Sequence, residues 1–157
     1  MLPTAHLAMT YIVWRLLCGY IECDIYSLLL AIFFGVLIDG DAVVLGSRHR
    51  MSMLHSLVLW LPTIPILYML GVDYYWTPLF AIIHIAMDSL DWGVYAFYPF
   101  SNRIFGLRYM SRRSLLNPGK NRINEFAREY LSSKLFAFLE AIVISSALLL
   151  LFFDITG

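Results

Sequence analysis

Phe80-Ala81-Ile82-Ile83-His84-Ile85-Ala86-Met87-Asp88-Ser89-Leu90-Asp91 is an apolar run that carries ionisable groups at three places. Their spacing is i, i+4 and i+7, which at the helical period puts His84, Asp88 and Asp91 on one narrow face. The run predicts a helix over 75–97, apolar enough to sit in a bilayer. An ionisable side chain inside such a helix costs free energy unless it is paired, hydrated or bound to metal, so each is a candidate for function. His-x-x-x-Asp on a helix lets an imidazole nitrogen and a carboxylate oxygen hold one ion. The plainer alternative is a His–Asp hydrogen bond within the bundle. Asp91 is a further ligand, a partner that orients His84, or a general base.

The rest of the chain is of the same kind. Of its 157 residues, 61% are hydrophobic and 14% charged, against ~45–50% and ~25% in ordinary soluble domains. Mean hydropathy is +0.74. An all-α, integral membrane helical bundle of about five helices follows, as one membrane-embedded domain over 1–157. The other helices are expected at 5–21, 25–45 and 52–71, the last kinked by Pro62 and Pro65, and in a segment that starts amphipathic near Ile123 and is fully apolar from Leu135 to Phe153. A polar loop precedes that last helix. His6 and Arg15 break up the first apolar stretch, so no cleavable signal peptide is expected. Cys18 and Cys23, five apart, match no zinc or redox motif and read as two free thiols.

Charge orients the bundle. Arg48 and Arg50 lie between helices two and three. Eight more Lys and Arg, from Arg103 to Lys134, lie before the core of helix five, so ten of the 11 positive side chains fall in two loops. The opposite ends carry Glu22, Asp24, Asp73 and Asp154. The positive-inside rule then puts the N-terminus and both basic loops in the cytoplasm and the C-terminus outside, in a plasma (inner) membrane. Zero net charge offers no general attraction to nucleic acid. Tyr74, Tyr75 and Trp76, and again Trp92, Tyr95 and Tyr98, read as aromatic belts at the two interfaces.

That topology brings six groups to similar depth near the cytoplasmic face: His6, Asp39, Asp41, His55, His84 and Asp88. Nitrogen and oxygen donors converging in this way suggest a metal centre, with zinc or manganese fitting better than calcium. Asp39 and Asp41, two apart, diverge on a regular helix, so Gly40 between them is expected to break it. Two carboxylates at such depth repel unless a cation lies between them. Ser56, after His55, is suited to capping or back-bonding. Arg50, whose fork matches a phosphate, and His49 complete the candidate catalytic set with Asp91; His49 also suits a basic loop resting on lipid headgroups. Glu140 lies within the fifth helix, where it could pair with Arg15 or approach the site.

In order and approximate spacing, Thr4-Ala5-His6, Asp39-Gly40-Asp41, His55-Ser56, His84 to Asp88, and Tyr98-Pro99-Phe100 with Arg103-Ile104-Phe105-Gly106-Leu107 resemble the YdjM-type membrane-bound metal-dependent hydrolases of bacteria and archaea. Ile38 stands where that family often has Pro, and the loop 48–55 lacks the family's Gly and its His-to-His spacing. The resemblance, itself distant from the zinc-dependent phospholipase C and nuclease superfamily, implies a phosphoester substrate and more than one bound ion. The expected function is metal-dependent hydrolysis of a phospholipid or other lipid phosphoester at the membrane interface by a metal-activated water. The alternatives are an ion or metal transporter or channel subunit, and a structural membrane protein whose polar cluster only joins helices.

Overall fold

The computed structural model describes residues 3–41, 45, 52–91, 93–106 and 133–156. Among them are five α-helices, α1 Pro3–Leu17, α2 Ile25–Val36, α3 Leu57–Met69, α4 Leu79–Asp91 and α5 Lys134–Thr156, and no strand beyond a single bridged pair, Val94 with Phe105. The all-helical expectation holds. Among the described residues, only α5 is long and apolar enough to cross a membrane; α3 and α4 are apolar but short.

Several boundaries differ from the sequence reading. Pro3 opens α1 at the position where a missing N–H costs nothing. Asp24 caps α2 by accepting from the Ser27 amide, while Ser27 Oγ accepts from the Asp24 amide. α2 then gives way after Val36, well short of residue 45, to a 3-10 turn over Leu37–Asp41. His55 precedes α3 in a second 3-10 turn, Met53–His55, and Ser56 caps α3 by accepting from the Val58 amide at 3.2 Å. α3 runs continuously through Pro62 and Pro65. α4 begins at Leu79 and stops at Asp91 because Gly93 turns the chain at φ +79°. The amphipathic segment near Ile123 lies outside the described residues.

The free-thiol reading of Cys18 and Cys23 is overturned. The chain reverses after Leu17, whose carbonyl accepts from the amides of Tyr20 and Ile21. That reversal brings the two Cα atoms to 5.3 Å, and the cysteines form a disulfide across the α1–α2 turn.

Small side chains let the helices meet. Gly35 lies against Thr10 at the α1–α2 crossing, and Ala5, Ala8, Ser27 and Ala31 are buried on the two helices. Trp14 Nε1 donates to Ser27 Oγ across it. α4 packs against α1, α2 and α3, burying Phe80, Ala81, His84, Ile85, Met87 and Asp88 on one face. α5 packs on α1: Leu139 lies against Ala5 and Met87 near one end. Near the other, Tyr11 and Arg15 both donate to the Asp154 carboxylate. The suggested Arg15–Glu140 pair is therefore not formed. Arg15 sits in the last turn of α1, level with Asp154, and Glu140 is buried elsewhere along α5.

The bundle thus has two unlike ends. One holds the disulfide, the Arg15–Asp154 pair and a hydrogen bond from Tyr74 to Asp24. The other gathers the start of α1, the end of α2, the start of α3 and the second half of α4.

Candidate metal centre

Each helix delivers its polar groups to that second end by ordinary local structure. On α4, the helical period that buries Phe80, Ala81 and Ile85 also buries His84 and Asp88. At the end of α2, the tighter 3-10 winding swings Asp39 inward and leaves Asp41 pointing to another side. The break in regular helix begins at Leu37 rather than at Gly40. A Cβ at Gly40 would meet only Leu37 Cδ1, at 3.9 Å, and its φ is not positive, so glycine is not what bends the chain there.

One donor atom from each of Asp39, His55, His84 and Asp88 lies within 4.8 Å of the other three. His84 Nε2 is 3.4 Å from Asp39 Oδ1 and 3.7 Å from Asp88 Oδ2; His55 Nε2 is 3.7 Å from Asp39 Oδ1 and 3.6 Å from Asp88 Oδ2. These separations are longer than an N–H···O hydrogen bond. They match a ligand sphere. Donors ~2.0–2.2 Å from a tetrahedral ion stand about 3.3–3.6 Å apart.

The surrounding hydrogen bonds set the direction of the donors. His84 Nδ1 lies 2.8 Å from the Gly35 carbonyl, which can only accept, so Nδ1 donates and, in the neutral imidazole, Nε2 carries the lone pair. Nε2 is buried, makes no hydrogen bond, and faces two carboxylate oxygens. Three acceptors turned toward one another, with Asp88 buried and Asp39 only partly exposed, repel unless a cation lies among them. The four residues could therefore hold a metal ion.

His55 is oriented in a similar way. Its Nδ1 faces Asp41 Oδ2 at 3.4 Å, leaving Nε2 for the cluster, and Ser52 Oγ donates to the same Asp41 oxygen. His6 Nε2 lies 3.1 Å from Asp88 Oδ1, so Oδ1 is occupied while Oδ2 turns toward the two histidines. The His6 ring stacks on that of His84 with centroids 3.9 Å apart.

All six residues singled out as ligands therefore lie together. Four form the donor set; from outside it, His6 touches both Asp88 and His84, and Asp41 touches His55. Of the proposed catalytic companions, Arg50 and His49 lie outside the described residues, as does Arg48. Asp91 ends α4, but its side chain is likewise outside the described part.

Sequence reasoning missed three supports. The Gly35 carbonyl has no side-chain signature. Ser52 precedes His55 by three residues, a spacing that could have flagged it. Ser56 is expected to cap or back-bond locally; its Oγ also donates across the fold to the carbonyls of Tyr98 at 2.7 Å and Ala96 at 3.1 Å, pinning the loop after α4 beside His55. No protein-family model, curated protein or solved structure matches this chain.

Proposed function

We propose that this chain is an integral membrane, metal-dependent hydrolase of the YdjM-type kind, cleaving a lipid phosphoester at the cytoplasmic interface. The observation that carries it is the donor set of Asp39, His55, His84 and Asp88, with the unsatisfied His84 Nε2 aimed into it. A divalent ion there, zinc or manganese by the mixed nitrogen and oxygen donors, would supply a Lewis acid against a phosphoryl oxygen and lower the pKa of a water to ~7. The chain's own groups prepare that chemistry. Gly35 and Asp41 fix which imidazole nitrogens face inward. His6 holds one oxygen of Asp88. His55, His84 and Asp88 are buried, and Asp39 is the donor that reaches solvent. Arg50, His49 and Asp91 belong to the proposal as phosphate-binding and proton-handling groups.

The two unlike ends support the membrane reading and its orientation. α5 has the length and hydropathy of a span. The disulfide lies at the end away from the cluster, and disulfides persist in oxidising compartments. The basic residue Arg103 lies on the loop pinned to the cluster end by Ser56. Polar side chains away from the cluster are already engaged: Thr63 Oγ1 donates to the Leu59 carbonyl, and Arg15 pairs with Asp154. This favours a local site over an ion path through the bilayer.

The test uses full-length protein purified from membranes. Metal content is measured by mass spectrometry, and hydrolysis of a panel of phospholipids and smaller phosphoesters is followed before and after chelation. Bound metal with chelator-sensitive hydrolysis is expected. Bound metal with ion flux in vesicles and no hydrolysis would replace the proposal with transport. Protein that binds no added zinc or manganese would make the cluster a structural one.

A further inference from the structure

The loop that follows α4 is built to hold aromatic rings out in the open. Val94 and Phe105 exchange two backbone hydrogen bonds of 2.8 Å. The Tyr98 amide donates to the Tyr95 carbonyl, and the Ser101 amide to the Phe97 carbonyl. Gly106 lies so close to the end of α4 that a Cβ would run into the Ser89 carbonyl, and its φ of +133° suits glycine alone. Ser56 Oγ and the Leu57 amide tie the loop to the start of α3 through the carbonyls of Ala96 and Tyr98. Despite this tight frame, Phe97, Phe100 and Phe105 are 42%, 83% and 41% exposed. Phe97 and Phe105 meet edge to face at 5.0 Å, and exposed Arg103 stands between Phe100 and Phe105 in sequence. From Gly93 the chain carries no Asp or Glu until Glu125, while Arg103, Arg108, Arg112, Arg113, Lys120 and Arg122 fall in that interval.

Ordered backbone, outward rings and one sign of charge fit one occupant. We propose that Phe97, Phe100, Phe105 and Arg103 form a leaflet-gripping surface that seats the metal-cluster end of the bundle in anionic lipid. Aromatic rings partition to the boundary between headgroups and acyl chains, and a cation beside them pairs with an anionic headgroup. The loop is hydrogen-bonded to Ser56, next to His55, and packs closely against Ser89, next to Asp88, so its depth in the leaflet sets the depth of the cluster. This rests on the membrane reading of the whole chain and assigns it a specific contact surface. A protein partner covering the same rings is the competing occupant.

Two single-cysteine spin labels separate the possibilities. Asn102→Cys reports the loop without touching the four residues, and Leu148→Cys reports the exposed face of α5. The native cysteines are paired and do not react. Each full-length protein is placed in nanodiscs of phosphatidylcholine, with or without phosphatidylglycerol, and collision of the label with oxygen and with a water-soluble nickel chelate is measured. The expected result is a Leu148 label deep in the bilayer and an Asn102 label at the headgroup boundary. There, nickel access should fall several-fold when phosphatidylglycerol is present, and recover in Phe100→Ser and in Arg103→Gln. A deep Leu148 label with a fully nickel-accessible Asn102 label in both lipids would overturn the leaflet grip and leave the membrane reading intact. A nickel-accessible Leu148 label would overturn the membrane reading itself. Shielding of Asn102 that ignores lipid charge but grows with protein concentration would assign the rings to a second copy and refute the lipid occupant.

Discussion

Gly35→Ala should damage both the packing and the metal centre. A Cβ at residue 35 would overlap Thr10 Oγ1 and lie 3.2 Å from both Thr10 Cβ and Cγ2, inside the 3.4 Å at which ordinary contact begins. Thr10 is β-branched, helical and buried, so rotating its side chain gives little relief. α1 and α2 must separate instead. Overpacking of this kind costs about 1–3 kcal/mol, which for a chain of this size lowers the melting temperature by about 2–12 °C. Thr10→Ala deletes Oγ1 and Cγ2 and leaves only the 3.2 Å contact, so the double variant should regain most of the loss. The cycle of single and double variants, followed by thermal unfolding in detergent, isolates that coupling. Metal content should fall with stability in the single variant, because the residue that moves also carries the carbonyl facing His84 Nδ1. A Gly35→Ala protein that melts like the parent, or one that Thr10→Ala does not rescue, would refute the close crossing.

Three further outcomes are expected. His84→Ala and Asp88→Ala should each abolish stoichiometric zinc or manganese binding while the protein still inserts; Asp41→Ala, which removes only a group behind His55, should weaken binding about 10–100-fold, and titration with a competing chelator distinguishes the two. Tyr74 donates to Asp24, which pushes the phenol up to about 12 and holds the Asp24 carboxyl below its usual range. Stability from Tyr74 is then present below ~10 and lost as pH rises toward 12, and that from Asp24 is present above ~4 and lost as pH falls below it; melts across this range should show both losses, and Tyr74→Phe should flatten the alkaline one. Reporter domains fused after Gly157 should be active only outside the cytoplasm, and an active cytoplasmic fusion there would sink the assigned orientation.

Much of the cluster was legible because helical periodicity over a long apolar run is a strong signal. His84 and Asp88 follow directly from it. Loop charge then sets which helix ends meet, which is why residues as far apart as His6 and Asp88 could be grouped before any contact was seen. Shorter-range geometry was not legible. Five residues cannot distinguish a period of 3.6 from 3.0, so the 3-10 turn that separates Asp39 from Asp41 was read as a break at Gly40. The Arg15–Asp154 pair spans 139 positions and joins two helices whose contact no local pattern announces. The disulfide depends on the path of a turn, and spacing alone did not reveal that path. Gly35 looked like one more small residue, although its carbonyl chooses the tautomer of His84.

The helices differ in length in a way that bears on the bilayer itself. α1 and α5 run parallel, joined near their last turns by Arg15 and Asp154. α1 to α4 hold 12–15 residues each and α5 holds 23, which correspond to rises of about 18–23 Å and about 35 Å. With Leu139 against Ala5 near the other end, α5 extends past the start of α1 by about 4–5 Å, and the rest of its length is taken up along the packed stretch. A hydrocarbon core of ~30 Å matched to α5 stands about 10 Å taller than the four short helices. In the membrane proposed above, lipids over those helices must thin at a cost of fractions of a kcal/mol per Å, forming a dimple whose floor is the metal-cluster end. Headgroup phosphates would descend to the ligands without any lipid leaving its leaflet, and thicker bilayers would make that descent harder.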